Sequence, residues 1–169
     1  GNDNHKGLSM ESPWKSLDKI NSTTLNPGDK VLFKSGDTFY GQLIVNGSGS
    51  INKSLLISSY GEGAKPVIDA GHVEGGAYLS AILINNQEYI QIENLEITND
   101  RKVPRAGVTD ELAYGVYVYN NGQEIMRHLQ FKNLTLRDIF AVSLEGVDFN
   151  SIKVAGIGFK TERNTVSGK

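Results

Sequence analysis

Cysteine is absent from the 169 residues, which removes disulfides, thiolate nucleophiles and Cys-ligated zinc or iron–sulfur centres. Proline occurs only four times against nineteen glycines, so the turns must be made largely by Gly, Asn and Asp. Neither sign of charge dominates: 17 Lys and Arg against 19 Asp and Glu leave a formal net charge of −2. No basic field exists to drive sequence-independent nucleic-acid binding. No stretch approaches the roughly 18 apolar residues of a membrane-spanning helix, and the opening Gly1–Gly7 segment is too polar for a signal peptide. A Gly-rich phosphate loop, a nucleophile elbow, a paired-His zinc motif and a helix–loop–helix Ca²⁺ loop are all missing. ATP-dependent and zinc-peptidase chemistry therefore have no residue support. No cofactor or metal ligand set is identified, with Ca²⁺ left open for a longer form of the protein.

What is present is strand material: seven Tyr, six Phe and many Val and Ile. Apolar pulses of strand length fall at 31–33, 43–45, 55–57, 67–68 and 82–84, separated by turn chemistry such as Asn46-Gly47-Ser48-Gly49 and Tyr60-Gly61-Glu62-Gly63. One helix is expected, over 13–22. Ser12 can accept from the free N–H groups of its first turn, Pro13 gives up an N–H that had no partner, and Trp14, Leu17 and Ile20 share a face. With no second helical segment to serve as a crossover, a doubly wound α/β fold is disfavoured.

An internal repeat discriminates among the β architectures. The run Tyr89 to Asn99 matches His128 to Asp138 in pattern, and its Asn-Leu pair recurs 39 residues on, at Asn133-Leu134. Upstream, Ala77–Asn86 resembles Ala113–Asn121, and a third copy opens at Gly156-Ile157-Gly158-Phe159. Pairs of strands around a Gly- or Asn-marked corner, recurring with variable insertions, are what stacked coils require. An antiparallel sandwich also yields short strands but does not predict matched pairs at a shared offset. The expected fold is all-β, a right-handed parallel β-helix with a short N-terminal capping helix, forming a single domain with coils over about 30–169.

The segment Gly1-Asn2-Asp3-Asn4 through Ser12-Pro13-Trp14-Lys15-Ser16-Leu17, with Pro27-Gly28-Asp29-Lys30-Val31-Leu32-Phe33-Lys34-Ser35-Gly36-Asp37, resembles the opening of secreted bacterial right-handed parallel β-helix proteins of the pectate-lyase-like superfamily. Lys65-Pro66-Val67-Ile68-Asp69 and Arg105-Ala106-Gly107-Val108 extend the likeness. The resemblance implies a secreted, periplasmic or cell-surface protein and a polysaccharide partner. It implies too that the chain is the N-terminal part of a longer β-helix, stopping at Ser167-Gly168-Lys169 within a repeat, with catalytic residues beyond Lys169. An uncapped last coil would then favour self-association through that end. Two activities follow by analogy: an enzyme cleaving a polysaccharide by β-elimination or hydrolysis, or a non-catalytic glycan-binding scaffold.

Candidate substrate contacts lie where loops interrupt the coils. The insertion 100–112 gathers Asp100, Arg101, Lys102, Arg105, Asp110 and Glu111. A lyase needs a cation on the uronate and a base, and a hydrolase needs two carboxylates; both inventories are here, as they are in many solvated loops. In the segment 114–119, alternation places Tyr117 and Tyr119 on one face and Val116 and Val118 on the other. If the valines face the core, the tyrosines offer flat rings to a sugar. Asp69, His72 and Glu74 read as a hard-cation site, as a proton-transfer group centred on His72, or as a plain Asp-x-Gly turn. Arg137-Asp138 reads as a surface ion pair, His128 as a structural residue, and Trp14 as the plug of the first coil.

Overall fold

The computed structural model describes residues 1–122, 125–142, 146 and 148–162; the end at Ser167-Gly168-Lys169 lies outside them. Twelve strands follow one another: Lys30–Lys34 (β1), Thr38–Tyr40 (β2), Leu43–Ile44 (β3), Leu55–Tyr60 (β4), Val67–Asp69 (β5), Ser80–Asn85 (β6), Ile90–Glu93 (β7), Glu96–Asp100 (β8), Leu112–Asn120 (β9), Leu129–Lys132 (β10), Thr135–Phe140 (β11) and Lys153–Thr161 (β12). They fall into three four-stranded sheets that each take one strand from every circuit: sheet A is β1-β4-β7-β10, sheet B is β2-β5-β8-β11 and sheet C is β3-β6-β9-β12. Every strand pairing within them is parallel. The protein is a parallel β-solenoid.

Its interior is built of ladders of like side chains. Leu55, Ile90 and Leu129 are in register in sheet A, Phe39, Ile68, Ile97 and Leu136 in sheet B, and Leu43, Ile82, Val116 and Ile157 in sheet C. The middle rungs of these ladders are wholly buried, so each coil's apolar residues find their cover on the coils above and below. Ile157 and Phe159 stand opposite Val116 and Val118, which makes the third copy a true coil. In β6 and β9 the pairing sets Ser80 opposite Tyr114 and Ile82 opposite Val116, two residues out of step with a match of Ala77 to Ala113. The strand β2 shows no apolar pulse because only Phe39 of its three residues points inward.

The 39-residue repeat is anchored at its corners. Asn94 and Asn133, between sheets A and B, both adopt left-handed backbone (φ 58° and 47°). They are stacked: Asn133 Nδ2 donates to Asn94 Oδ1 at 2.8 Å, and Asn94 Nδ2 donates to Ser58 Oγ at 3.2 Å. At the corner entering sheet A, Tyr89 and His128 are also left-handed and stack ring on ring, centroids 4.8 Å apart. His128 thus has the structural partner that the sequence concealed.

The N-terminal helix corrects the sequence reading. It runs only over Leu17–Asn21, capped by Ser16, whose Oγ accepts from Lys19 N. Residues 13–16 are captured first by Asp3: its Oδ1 accepts from Lys15 N (2.7 Å) and Ser16 N (2.9 Å), and its Oδ2 from Ser16 Oγ (2.7 Å). The carbonyls that an earlier turn would use are taken as well, Ser12 O by Gly7 N (3.1 Å) and Pro13 O by Asn2 N (3.0 Å). Trp14 therefore lies outside the helix, half-buried, its ring packed on Gly7 and its Nε1 donating to His5 O at 2.9 Å. Leu17 and Ile20 are buried over the first coil, and Trp14 packs against the same cluster from outside the helix.

Candidate functional site: a groove on the outer face of sheet B

The corner from sheet B to sheet C is short in the first circuit, Tyr40 to Leu43, and long in the next two, with loops over 70–79 and 101–111. These two loops stack on each other. Ala77 N donates to Val103 O at 2.9 Å, and Arg105 lies 3.8 Å above the Tyr78 ring while donating to Gly76 O (2.8 Å) and Glu74 O (3.1 Å). Together they form a wall beside sheet B.

Against this wall runs a groove of about 560 Å³ lined by Tyr40, Asp69, His72, Asp100, Lys102 and Asp138, with Thr98, Arg137 and Phe140. Its floor is the outer face of sheet B, where Tyr40, Asp69, Thr98 and Arg137 form one rung and Asp100 and Phe140 share another. The carboxylate of Asp69 is almost fully buried. Its Oδ1 accepts from Gly71 N (2.9 Å) and His72 N (3.1 Å), the turn that the Asp-x-Gly sequence suggests, and its Oδ2 lies 2.9 Å from His72 Nδ1. The imidazole is held by one nitrogen and leaves Nε2 to the groove. Asp138 owes its place to a β-bulge: the register slips between Arg137 and Ile139, and Asp138 takes φ 50°. The extra residue turns its carboxylate outward, whereas strict alternation would bury it. Cations are engaged, Lys102 Nζ with Asp100 at 2.7 Å and Arg137 with Glu96 at 2.6 Å and with Asp138. The Lys102 pKa is raised by its hydrogen bond to Asp100, and that of Arg137 by its bond to Glu96.

Of the residues expected to contact substrate, Lys102 alone lines this groove. Arg101, expected in the open, is fully buried: its Nη1 donates to Thr109 O at 2.7 Å and to Leu112 O, closing the base of the loop. Burial lowers its pKa and nearby Asp110 raises it. Arg105 is likewise turned inward, onto the loop beneath it. Asp110 and Glu111 do not line the groove, and the pKa of Glu111 is lowered by a hydrogen bond from Thr109. The two arginines shape the loop, while Lys102 faces the groove.

Val116 and Val118 face the core as alternation requires, and Tyr117 and Tyr119 face outward on sheet C, away from the groove. Tyr114 joins them because Gly115 turns toward Leu136 and Ile139, and the missing Cβ of Gly158 leaves room for the Tyr114 ring. Tyr117 is then sandwiched, its centroid 4.6 Å from Tyr114 and 6.0 Å from Tyr119, and is 9% exposed. Both of its faces are taken, so it offers none to a sugar. Tyr119 donates to Glu162 at 2.6 Å, which raises its pKa, and Lys160 lies over its ring. Desolvation raises the pKa of Tyr114 and Tyr117.

Sequence reasoning missed Tyr40 and Phe140, and left Arg137-Asp138 as a plain ion pair. The available signal was positional: Asp69 and Arg137-Asp138 fall near the ends of strands that share sheet B. Among the described residues, no group of three or more His, Asp or Glu converges as a metal site, and no helix is long and apolar enough to cross a membrane.

No family model matches the chain. A lacto-N-biosidase of Bifidobacterium longum subsp. longum is 35% identical over 123 residues, covering 59% of this chain and 8% of that protein. Among solved structures, the native GH136 lacto-N-biosidase from Eubacterium ramulus superposes with a TM-score of 0.73 at 28% identity, and its selenomethionine derivative with 0.71 at 27%. Each match covers 94% of this chain and 28% of the other. The structural neighbours are β-helix glycoside hydrolases. The chain spans well under a third of the length of these lacto-N-biosidases, and the β-helix expected from sequence is the architecture it shares with them.

Proposed function

We propose that the chain supplies coils of a β-helix glycoside hydrolase that acts on a neutral glycan, with a lacto-N-biose-containing oligosaccharide as the first substrate to test. The observation that carries this reading is the superposition over 94% of the chain at 27–28% identity on lacto-N-biosidases. Local chemistry agrees with hydrolysis over β-elimination. A lyase needs an uncommitted cation for the uronate and a free base, but Arg101 and Arg105 are turned into their loops and Lys102 and Arg137 are paired. Carboxylates, the groups a glycosidase needs, face the groove from three successive coils: Asp69, Asp100 and Asp138.

The test is made on the protein expressed from its full reading frame. With p-nitrophenyl β-lacto-N-bioside it should release nitrophenol, and with acidic polysaccharides it should give no unsaturated product absorbance. Unsaturated product would overturn the hydrolase reading in favour of a lyase. Binding of neutral glycans without cleavage of any would overturn it in favour of a scaffold.

A further inference from the structure

Two large aromatic side chains stand in solvent at opposite ends of the sheet B groove. Tyr40, on β2, is 61% exposed and Phe140, on β11, is 56% exposed. Except for Val67, the other outward residues of this sheet are polar, and burial offers no reason for either ring. β2 and β11 are the two outer strands of the sheet, so the rings are separated by three strand spacings, about 14 Å along the axis, and by one outward rung, about 7 Å along the strands. Between them lie the carboxylates of Asp69, Asp100 and Asp138, the His72 imidazole and the Lys102 ammonium. Apolar platforms around a few convergent polar groups on a rigid floor are the ordinary composition of a ligand site.

Charge narrows the class of ligand. Three carboxylates face the groove against two side-chain cations, and both cations are already paired. An anionic sugar would meet net repulsion and find no uncommitted partner. Sugar hydroxyls, in contrast, can donate to the lone pairs left on Asp100 and Asp138 and to His72 Nε2, because Asp69 occupies only Nδ1. The apolar face of a pyranose ring matches the flat faces of Tyr40 and Phe140. We propose that this groove binds a neutral oligosaccharide laid across the coils, parallel to the solenoid axis, with Tyr40 and Phe140 as stacking platforms and Asp100, Asp138 and His72 as hydroxyl partners. The proposal rests on the glycan reading above for its choice of ligand, while its residues and orientation come from the groove alone.

Isothermal titration of the full-length protein decides it, with a neutral tetrasaccharide as a hydrolysis-resistant thioglycoside and an oligogalacturonate as the acidic control. The neutral probe should bind and the acidic one should not. Tyr40→Ala and Phe140→Ala should each weaken binding about tenfold and the double variant more, while Tyr40→Phe, which keeps the ring, should bind as the wild type does. Unchanged circular dichroism would confirm that the variants fold. Equal affinity of the double variant and the wild type, no binding of the neutral probe, or tighter binding of the acidic one would each overturn the proposal. The two readings fail separately: binding at Tyr40 and Phe140 without turnover of any aryl glycoside removes the hydrolase and keeps the groove. Turnover with platform variants that bind normally does the reverse.

Discussion

Asp3 shows how one side chain can reset a local fold. Its carboxylate gathers three donors from Lys15 and Ser16 and so helps to set where the helix begins, at Leu17, fourteen residues downstream. The sequence pattern around Trp14, Leu17 and Ile20 was legible as helical, but the Asp3 contacts were not, since a carboxylate's partners across a loop leave no periodicity. The Asp3 pKa is lowered, chiefly by the hydrogen bond from the Ser16 backbone. A carboxylate with a depressed folded pKa contributes stability that is present above its unfolded value, about 3.9, and is lost as pH falls through the folded pKa. Urea midpoints of wild type and Asp3→Asn should therefore differ clearly near neutral pH and converge as the pH is lowered toward about 2. A gap that stays constant over that range would mean that Asp3 acts through something other than its charge. Arg101 teaches the same lesson in reverse: a cation in a polar loop reads as a surface residue, and only the fold shows it closing the carbonyls of Thr109 and Leu112.

At the scale of elements, repetition made the coils legible and insertions hid the site. Asn94 and Asn133 could be paired by their spacing because a left-handed corner selects Asn and stacking selects it twice. Register between β6 and β9 was harder, since Gly115 breaks the alternation that would fix it. The groove was least visible. Its residues come from four strands and two loops, and the bulge at Asp138 reverses the facing that alternation assigns. The corner itself gives a test. Asn94→Ala should cost about 3–4 kcal/mol, from two ladder hydrogen bonds near 1 kcal/mol each and about 1–2 kcal/mol for the strain of a left-handed Ala. Asn94→Gly, free of that strain, should cost less. Denaturant titration compares them, and a Gly variant less stable than the Ala variant would show that the positive φ is not what selects Asn here.

For the whole molecule, stacking sets both stability and association. Each coil contacts its neighbours alone, so stability accumulates rung by rung. In the last described circuit Phe159, opposite buried Val118, is 66% exposed, with Ile125 at 53% and Leu129 and Phe131 half-buried. We propose that the isolated 169-residue chain associates through this end. Sedimentation velocity should show a concentration-dependent dimer or larger species, reduced by Phe159→Ser. A monomer at all concentrations would refute it. The same stacking has a mechanical side. Hydrogen bonds between coils point along the solenoid axis, while the covalent backbone circles it. Tension along the axis loads the bonds of all three sheets in concert, whereas a pull on a strand end peels them open one after another. The molecule is stiff when stretched end to end and unreels when tugged at its rim.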